Sequence, residues 1–210
     1  MAEDFSTLTH AFGAQGAVFE GLVDATPDLG APTALGDWTC AVLVGHVTTA
    51  VEVLWRWQGD PPDGAPEIDR ISWWSGVDAA TNDDFSRRYA AKRTHDQLRT
   101  GIAESTVRAT EFLAEASPDT VLVAPGGIAF TRMGEAVATR IFELVVHGID
   151  LASAIGRDAE PDSAALGIVA EILDRRLGSD RPDGLTADLE WVRAATGRSD
   201  HPDPRLPVVS

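Results

Sequence analysis

A helix with two apolar faces and a polar stripe between them fits only the middle of a fold, and residues 136–156 have that pattern. The stretch Ala136-Val-Ala-Thr-Arg-Ile-Phe-Glu-Leu-Val-Val-His-Gly-Ile-Asp-Leu-Ala-Ser-Ala-Ile-Gly156 contains no proline, repeats its apolar residues three and four apart, and meets a stop signal at Gly156. At about 100° per residue, Val137, Ile141, Leu144, Val145, Leu151, Ala152 and Ile155 share one face. Phe142, Val146 and Ile149 form a strip roughly opposite. The stripe between them carries Arg140, Glu143, His147 and Asp150, with Ala136 and Ala154 at its ends. Polar groups on a buried helix need internal partners. Glu143 and His147 are one turn apart, so a carboxylate oxygen and an imidazole nitrogen can close on one metal ion. The function is expected at this pair.

The rest of the chain sets limits. Its 210 residues make one large domain, or one domain with a small appendage, and a hydrophobic content of 44% excludes wholesale disorder. No apolar run approaches the roughly 20 residues of a membrane span. The opening Met-Ala-Glu-Asp-Phe-Ser lacks the basic-then-apolar pattern of a secretion signal. A single cysteine, Cys40, permits no internal disulfide, as expected in the cytoplasm. A formal net charge of −16 argues against nucleic acid or an anionic membrane as partner. Lys92 is the sole lysine among many arginines, and with abundant Ala, Gly and Asp this matches the bias of a GC-rich genome; a salt-adapted surface is the other reading.

Helical spacing runs from Phe5 to about Ala25, through Phe12, Phe19 and Leu22. A loop rich in Pro, Gly and Thr follows, and a second helix covers Cys40 to Trp57, capped by Asp37 or Thr39. His46 lies on its face with Val42, Leu43, Ala50, Val53 and Trp57; on these residues alone it reads as a core histidine bonded to a carbonyl. The loop from Gln58 to Gly76 ends in Trp73-Trp74, of which one packs inward and the other lines an opening, or both anchor the loop. One long helix is expected from Asp78 or Asp84 to Ala116, with Arg87-Arg88 and Lys92-Arg93 on a solvated face. Pro118 to Thr131 reads as a short hairpin or an extended crossover around the turn Pro125-Gly-Gly127. Helices over Ser163–Leu177 and about Leu185–Thr196 follow, then an extended proline-rich tail. His10 reads as a surface or capping residue and His201 as an exposed one, His95 is ambiguous between surface and ligand, and nothing in the pattern supports a reactive thiol at Cys40.

Asp37-Trp38-Thr39 with His46 downstream, together with Glu143-Leu-Val-Val-His147-Gly-Ile-Asp150, resembles the mycothiol-dependent maleylpyruvate isomerase N-terminal domain family of the DinB-like, YfiT-like metalloenzyme superfamily. The ending Trp191-Val-Arg-Ala-Ala-Thr-Gly-Arg198 is also similar to tails of such actinobacterial proteins. The resemblance implies a mainly all-α fold: a DinB-like four-helix bundle with a long crossover over residues 1–157, and short C-terminal helices over 158–210 that pack on the bundle without forming an independent domain. It implies one metal, zinc or another divalent ion such as nickel, held by His46, Glu143 and His147, and mycothiol as co-substrate. Two His and one Glu leave a fourth position open, the catalytic pattern for zinc. Asp150 would orient an imidazole N–H or cap a turn. Arg140 would form a salt bridge, steady Glu143, or meet an anionic substrate.

The resemblance thus implies a metal- and thiol-dependent transferase or isomerase acting on a small electrophile; on the residues themselves, Trp57 and Trp73 or Trp74 are candidates to line its pocket. The family's maleylpyruvate isomerase carries a larger mixed α/β C-terminal domain, where this chain has about fifty residues after the central helix. Two other classes fit the same site: a metal- or ligand-binding protein without turnover, and a zinc-dependent hydrolase of a small molecule. A homodimer is compatible with such a bundle.

Overall fold

The computed structural model describes residues 4–73 and 79–209. Its helices are α1 (Phe5–Ala25), α2 (Cys40–Arg56), α3 (Ala79–Ala91), α4 (His95–Glu115), α5 (Met133–Ala154), α6 (Ser163–Leu177) and α7 (Asp188–Ala195). The main contacts run α1–α4–α2–α5 around a square, so the chain-consecutive pairs α1/α2 and α4/α5 lie on diagonals. Helix α3 packs outside α2, α6 packs on α5 and α1, and α7 packs on α6. The described residues contain no helix long and apolar enough to cross a membrane.

Helix α5 is the central element that its sequence pattern predicts. Val137, Ile141, Leu144, Val145 and Leu151 are fully buried, and the opposite strip of Phe142, Val146 and Ile149 is buried as well. It starts three residues earlier than its apolar pattern and ends at Ala154, two residues before Gly156, whose φ of 67° favours glycine. Gln15, buried on α1, bonds it in two directions: Nε2 donates to the Leu144 carbonyl at 3.3 Å, and Oε1 accepts from the Asp162 amide at 2.8 Å. That amide belongs to the N-cap residue of α6, so one side chain links α1, α5 and α6.

The expected single helix from Asp78 or Asp84 to Ala116 is two helices. Thr94 forms a capping box with Gln97: Thr94 Oγ1 accepts from the Gln97 amide at 3.2 Å, and the Thr94 amide donates to Gln97 Oε1 at 2.9 Å. This satisfies donors that a continuous helix would use internally, and the chain turns there. The solvated-face reading of the neighbouring arginines holds for Arg88, whereas Arg93 stacks on the Tyr89 ring and Arg87 binds Asp83 and Asp37. Pro118 to Thr131 resolves to the hairpin: β1 (Val121–Val123) pairs antiparallel with β2 (Phe130–Arg132) around a tight turn at Pro125–Gly127. The hairpin closes one end of the bundle, where the Val123 amide donates to the Trp57 carbonyl at 2.6 Å.

Helices α1 and α4 meet at Gly16, where an added Cβ would lie 2.3 Å from Thr106 Cγ2. The Thr106 hydroxyl donates to the Ile102 carbonyl at 2.9 Å, which holds that methyl in place. Gly16→Val is therefore expected to cost about 1–3 kcal/mol by overpacking, more than the few tenths gained in helix propensity. Urea unfolding measures it, and an unchanged midpoint would show that the two helices can separate freely.

Candidate metal centre

Each side chain of the centre is fixed by its helix. His46 sits in the second turn of α2, whose N-terminus is set by Thr39, with Oγ1 accepting from the Val42 amide at 3.4 Å. Glu143 and His147 sit one turn apart in the middle of α5. Because α2 packs on α5, the three meet: one donor atom from each lies within 4.8 Å of the other two. Glu143 Oε2 is 3.1 Å from His46 Nε2 and 3.2 Å from His147 Nε2. The imidazole rings stand edge to face at 84°, their centroids 4.9 Å apart. Donors about 2.1 Å from a tetrahedral ion lie about 3.4 Å from one another, close to the two separations here. The residues fit a divalent ion.

The far side of each imidazole is held too. His46 Nδ1 is 3.2 Å from Ser86 Oγ, on α3, and His147 Nδ1 is 2.9 Å from Asp150 Oδ2. Asp150 is buried, and Arg198 grips it with a fork: Nε donates to Oδ1 at 3.0 Å and Nη2 to Oδ2 at 2.7 Å. Such outer partners fix the ring orientation and leave the Nε2 atoms for the ion.

The electrostatics follow from these contacts. Burial pulls His46 below the usual histidine range, only partly opposed by its bond to Glu143. Burial acts the same way on His147, but the Asp150 and Glu143 carboxylates outweigh it and raise it to about 9. Glu143 would be pushed up by burial, yet its bonds to the two imidazoles hold it well below the carboxylate range. The cluster therefore holds positive charge between its carboxylates, a place that a cation can take over from a proton.

Arg140 is buried one turn before Glu143, and the salt bridge expected for it is not formed: among the described residues it has no carboxylate partner. Glu143 Oε2 is committed to the imidazoles. Arg140 instead donates from Nη1 to the Ala50 carbonyl at 3.2 Å and lies 4.6 Å from the centroid of the Trp73 ring, while its Nε has no partner. Trp73 is buried over this cation, and Trp74 lies outside the described residues. Trp57 does not join the cluster. It is the C-cap of α2, eleven residues from His46 and so about 16 Å along the axis, beside the hairpin.

The aromatic ring that does reach the centre is Trp38. Its ring centroid is 5.3 Å from that of His46 and 6.4 Å from that of His147, and its indole N–H donates to Asp83, which also binds Arg87. Trp38 stands one residue before the Thr39 cap, a position from which a helix start can bring a ring over its second turn. Ser86 and Arg198 carried no such signal, being 40 and 51 positions from the histidines they serve. Of the remaining histidines, His10 and His95 are exposed, whereas His201, expected on the surface, is half-buried. Cys40 is buried, and burial raises its thiol above the ordinary cysteine value, which disfavours a reactive thiolate.

Comparison with known proteins places the chain in a family. No curated protein sequence matches the chain. Among solved structures it is similar to that of the mycothiol-dependent maleylpyruvate isomerase, with a TM-score of 0.58 at 16% identity over 81% of this chain and 70% of that one. A histidine-to-alanine mutant of the same enzyme gives 0.58 at 14% identity over the same shares. At such identity the likeness is one of fold, a helical bundle. The sequence model of the mycothiol maleylpyruvate isomerase N-terminal domain matches residues 12–152, two-thirds of the chain and all three candidate ligands. The chain belongs to the mycothiol maleylpyruvate isomerase N-terminal domain family.

Proposed function

We propose that this protein is a divalent-metal-dependent enzyme that uses a low-molecular-weight thiol, mycothiol on the family's precedent, to isomerise or to add sulfur to a small anionic electrophile. The convergence of His46, Glu143 and His147 within 4.8 Å carries the reading. A zinc or nickel ion held there would supply the Lewis acidity that lets a thiol ionise near neutral pH.

The chain's own residues have separate tasks. Ser86 and Asp150 hold the two imidazoles in the orientation that presents Nε2. Trp38 covers both rings and limits water around them. Arg140, with hydrogen-bonding capacity left unused in the interior, receives the anionic end of the substrate. In the isomerase version the thiol adds to one carbon of a double bond, the resulting single bond rotates, and elimination returns the thiol. In the transferase version the carbon–sulfur bond stays.

The test is turnover of maleylpyruvate, and of a simple electrophile such as N-ethylmaleimide, by metal-loaded protein with and without mycothiol. Saturable dependence on thiol, lost on chelation and in Glu143→Gln, is expected. Turnover that needs the metal but no thiol would replace this reading with hydrolysis. No turnover by a protein that binds the metal would favour a binding role.

A further inference from the structure

A cavity of about 790 Å³ lies between the C-terminal end of α5 and the segment that follows α7. None of His46, Glu143 or His147 lines it; the Arg198–Asp150 pair stands between it and the metal centre. Arginines are prominent in its wall. The chain has 17 basic side chains against 33 acidic ones, so a cation without a partner is unusual in it. Lys92, Arg157 and Arg193 are the three whose side chains make no hydrogen bond, ion pair or ring contact among the described residues. Two of the three, Arg157 and Arg193, line this one cavity.

The other charges there do not cancel them. Arg198 and Asp150 neutralise each other across their fork. Asp200 adds one negative charge against the two free guanidiniums. His201, also in the wall, accepts at Nδ1 from the Asp203 amide at 3.2 Å, which places the proton of a neutral ring on Nε2 as a further donor. The same wall also carries the apolar side chains of Leu35, Ile149 and Leu206. A cavity of this size suits a small ligand, and two guanidiniums in one wall with apolar side chains suit carboxylates on a carbon skeleton.

We propose that this cavity is a second binding site, distinct from the metal centre, for a small organic acid whose carboxylates are held by Arg157 and Arg193. Calorimetry with succinate, and with inorganic phosphate as the source of charge without carbon, tests it on the full chain. Succinate is expected to bind the wild type and the Glu143→Gln variant alike, and to bind the Arg157→Gln/Arg193→Gln double variant at least about tenfold more weakly. Both arginines lack partners to lose, so the double variant should keep the wild-type circular dichroism. Affinity within about twofold of wild type in the double variant, or no binding up to about 10 mM, would overturn the site. Phosphate binding as tightly as succinate would overturn the organic acid as its occupant. Loss of succinate binding in Glu143→Gln would place the acid at the metal centre and overturn the claim of a second site, whatever the fate of the proposed reaction.

Discussion

Alanine at His46 or at His147 is expected to abolish the binding of one divalent ion per chain. In the proposed site the two imidazoles and Glu143 would supply all three protein ligands, so either substitution would leave only two, and a site with an open fourth position holds an ion poorly on two. Structural zinc sites in small peptides reach apparent binding free energies of about 10–16 kcal/mol at neutral pH, so losing one of three ligands should weaken binding by several orders of magnitude. Elemental analysis of purified wild type and both variants reads the stoichiometry, and cobalt substitution reads the coordination in solution. Because His46 and His147 come from different helices, loss of the ion in both variants, with the helical spectrum kept, would show that α2 and α5 share one site. A wild type that folds yet takes up neither zinc nor nickel would make the trio an internal hydrogen-bond cluster. The enzyme proposal would then fall.

Much of this centre is legible in the sequence because α5 is so constrained. Residues greasy on both sides of a polar stripe have one place to go, and Glu143 and His147 follow from helical spacing alone. His46 shows the limit of that reasoning: on α2 it looks like any core histidine, and only the family resemblance joins it to a helix about a hundred residues away. The split between α3 and α4 was also written locally, as Thr94 and Gln97 in capping-box spacing, but the polar composition around it hides the break. Trp57 shows how little a shared helix face says about distance. An aromatic on the same helix face as His46 is not thereby near it, because three turns of rise separate them. What no local pattern reveals is Arg198. Its partner depends on how the C-terminal segment returns to the end of α5, a property of the whole fold.

That return carries the second large effect. Asp150 is 3% exposed and accepts from both Arg198 and His147, so Arg198→Ala would leave a buried carboxylate with a single side-chain partner. Breaking a buried pair in this way costs about 3–5 kcal/mol, and the 17% exposure of the Arg198 side chain lowers the expectation to about 2–4 kcal/mol. The metal site should feel it as well. Without Arg198, Asp150 can rotate away from His147 Nδ1, and loss of such an outer partner typically weakens metal binding by about 10–100-fold. Arg198→Lys keeps the charge but not the fork and should fall between wild type and alanine on both measures. Arg205→Ala, which removes an exposed pair with Asp203 in the same tail, should change neither the urea midpoint nor the metal affinity. If Arg198→Ala behaves like Arg205→Ala, the tail is merely packed against the bundle. If it loses stability and metal together, residues 158–210 are part of the centre. A short segment then supplies Arg198, the one arginine that Asp150 binds among the described residues.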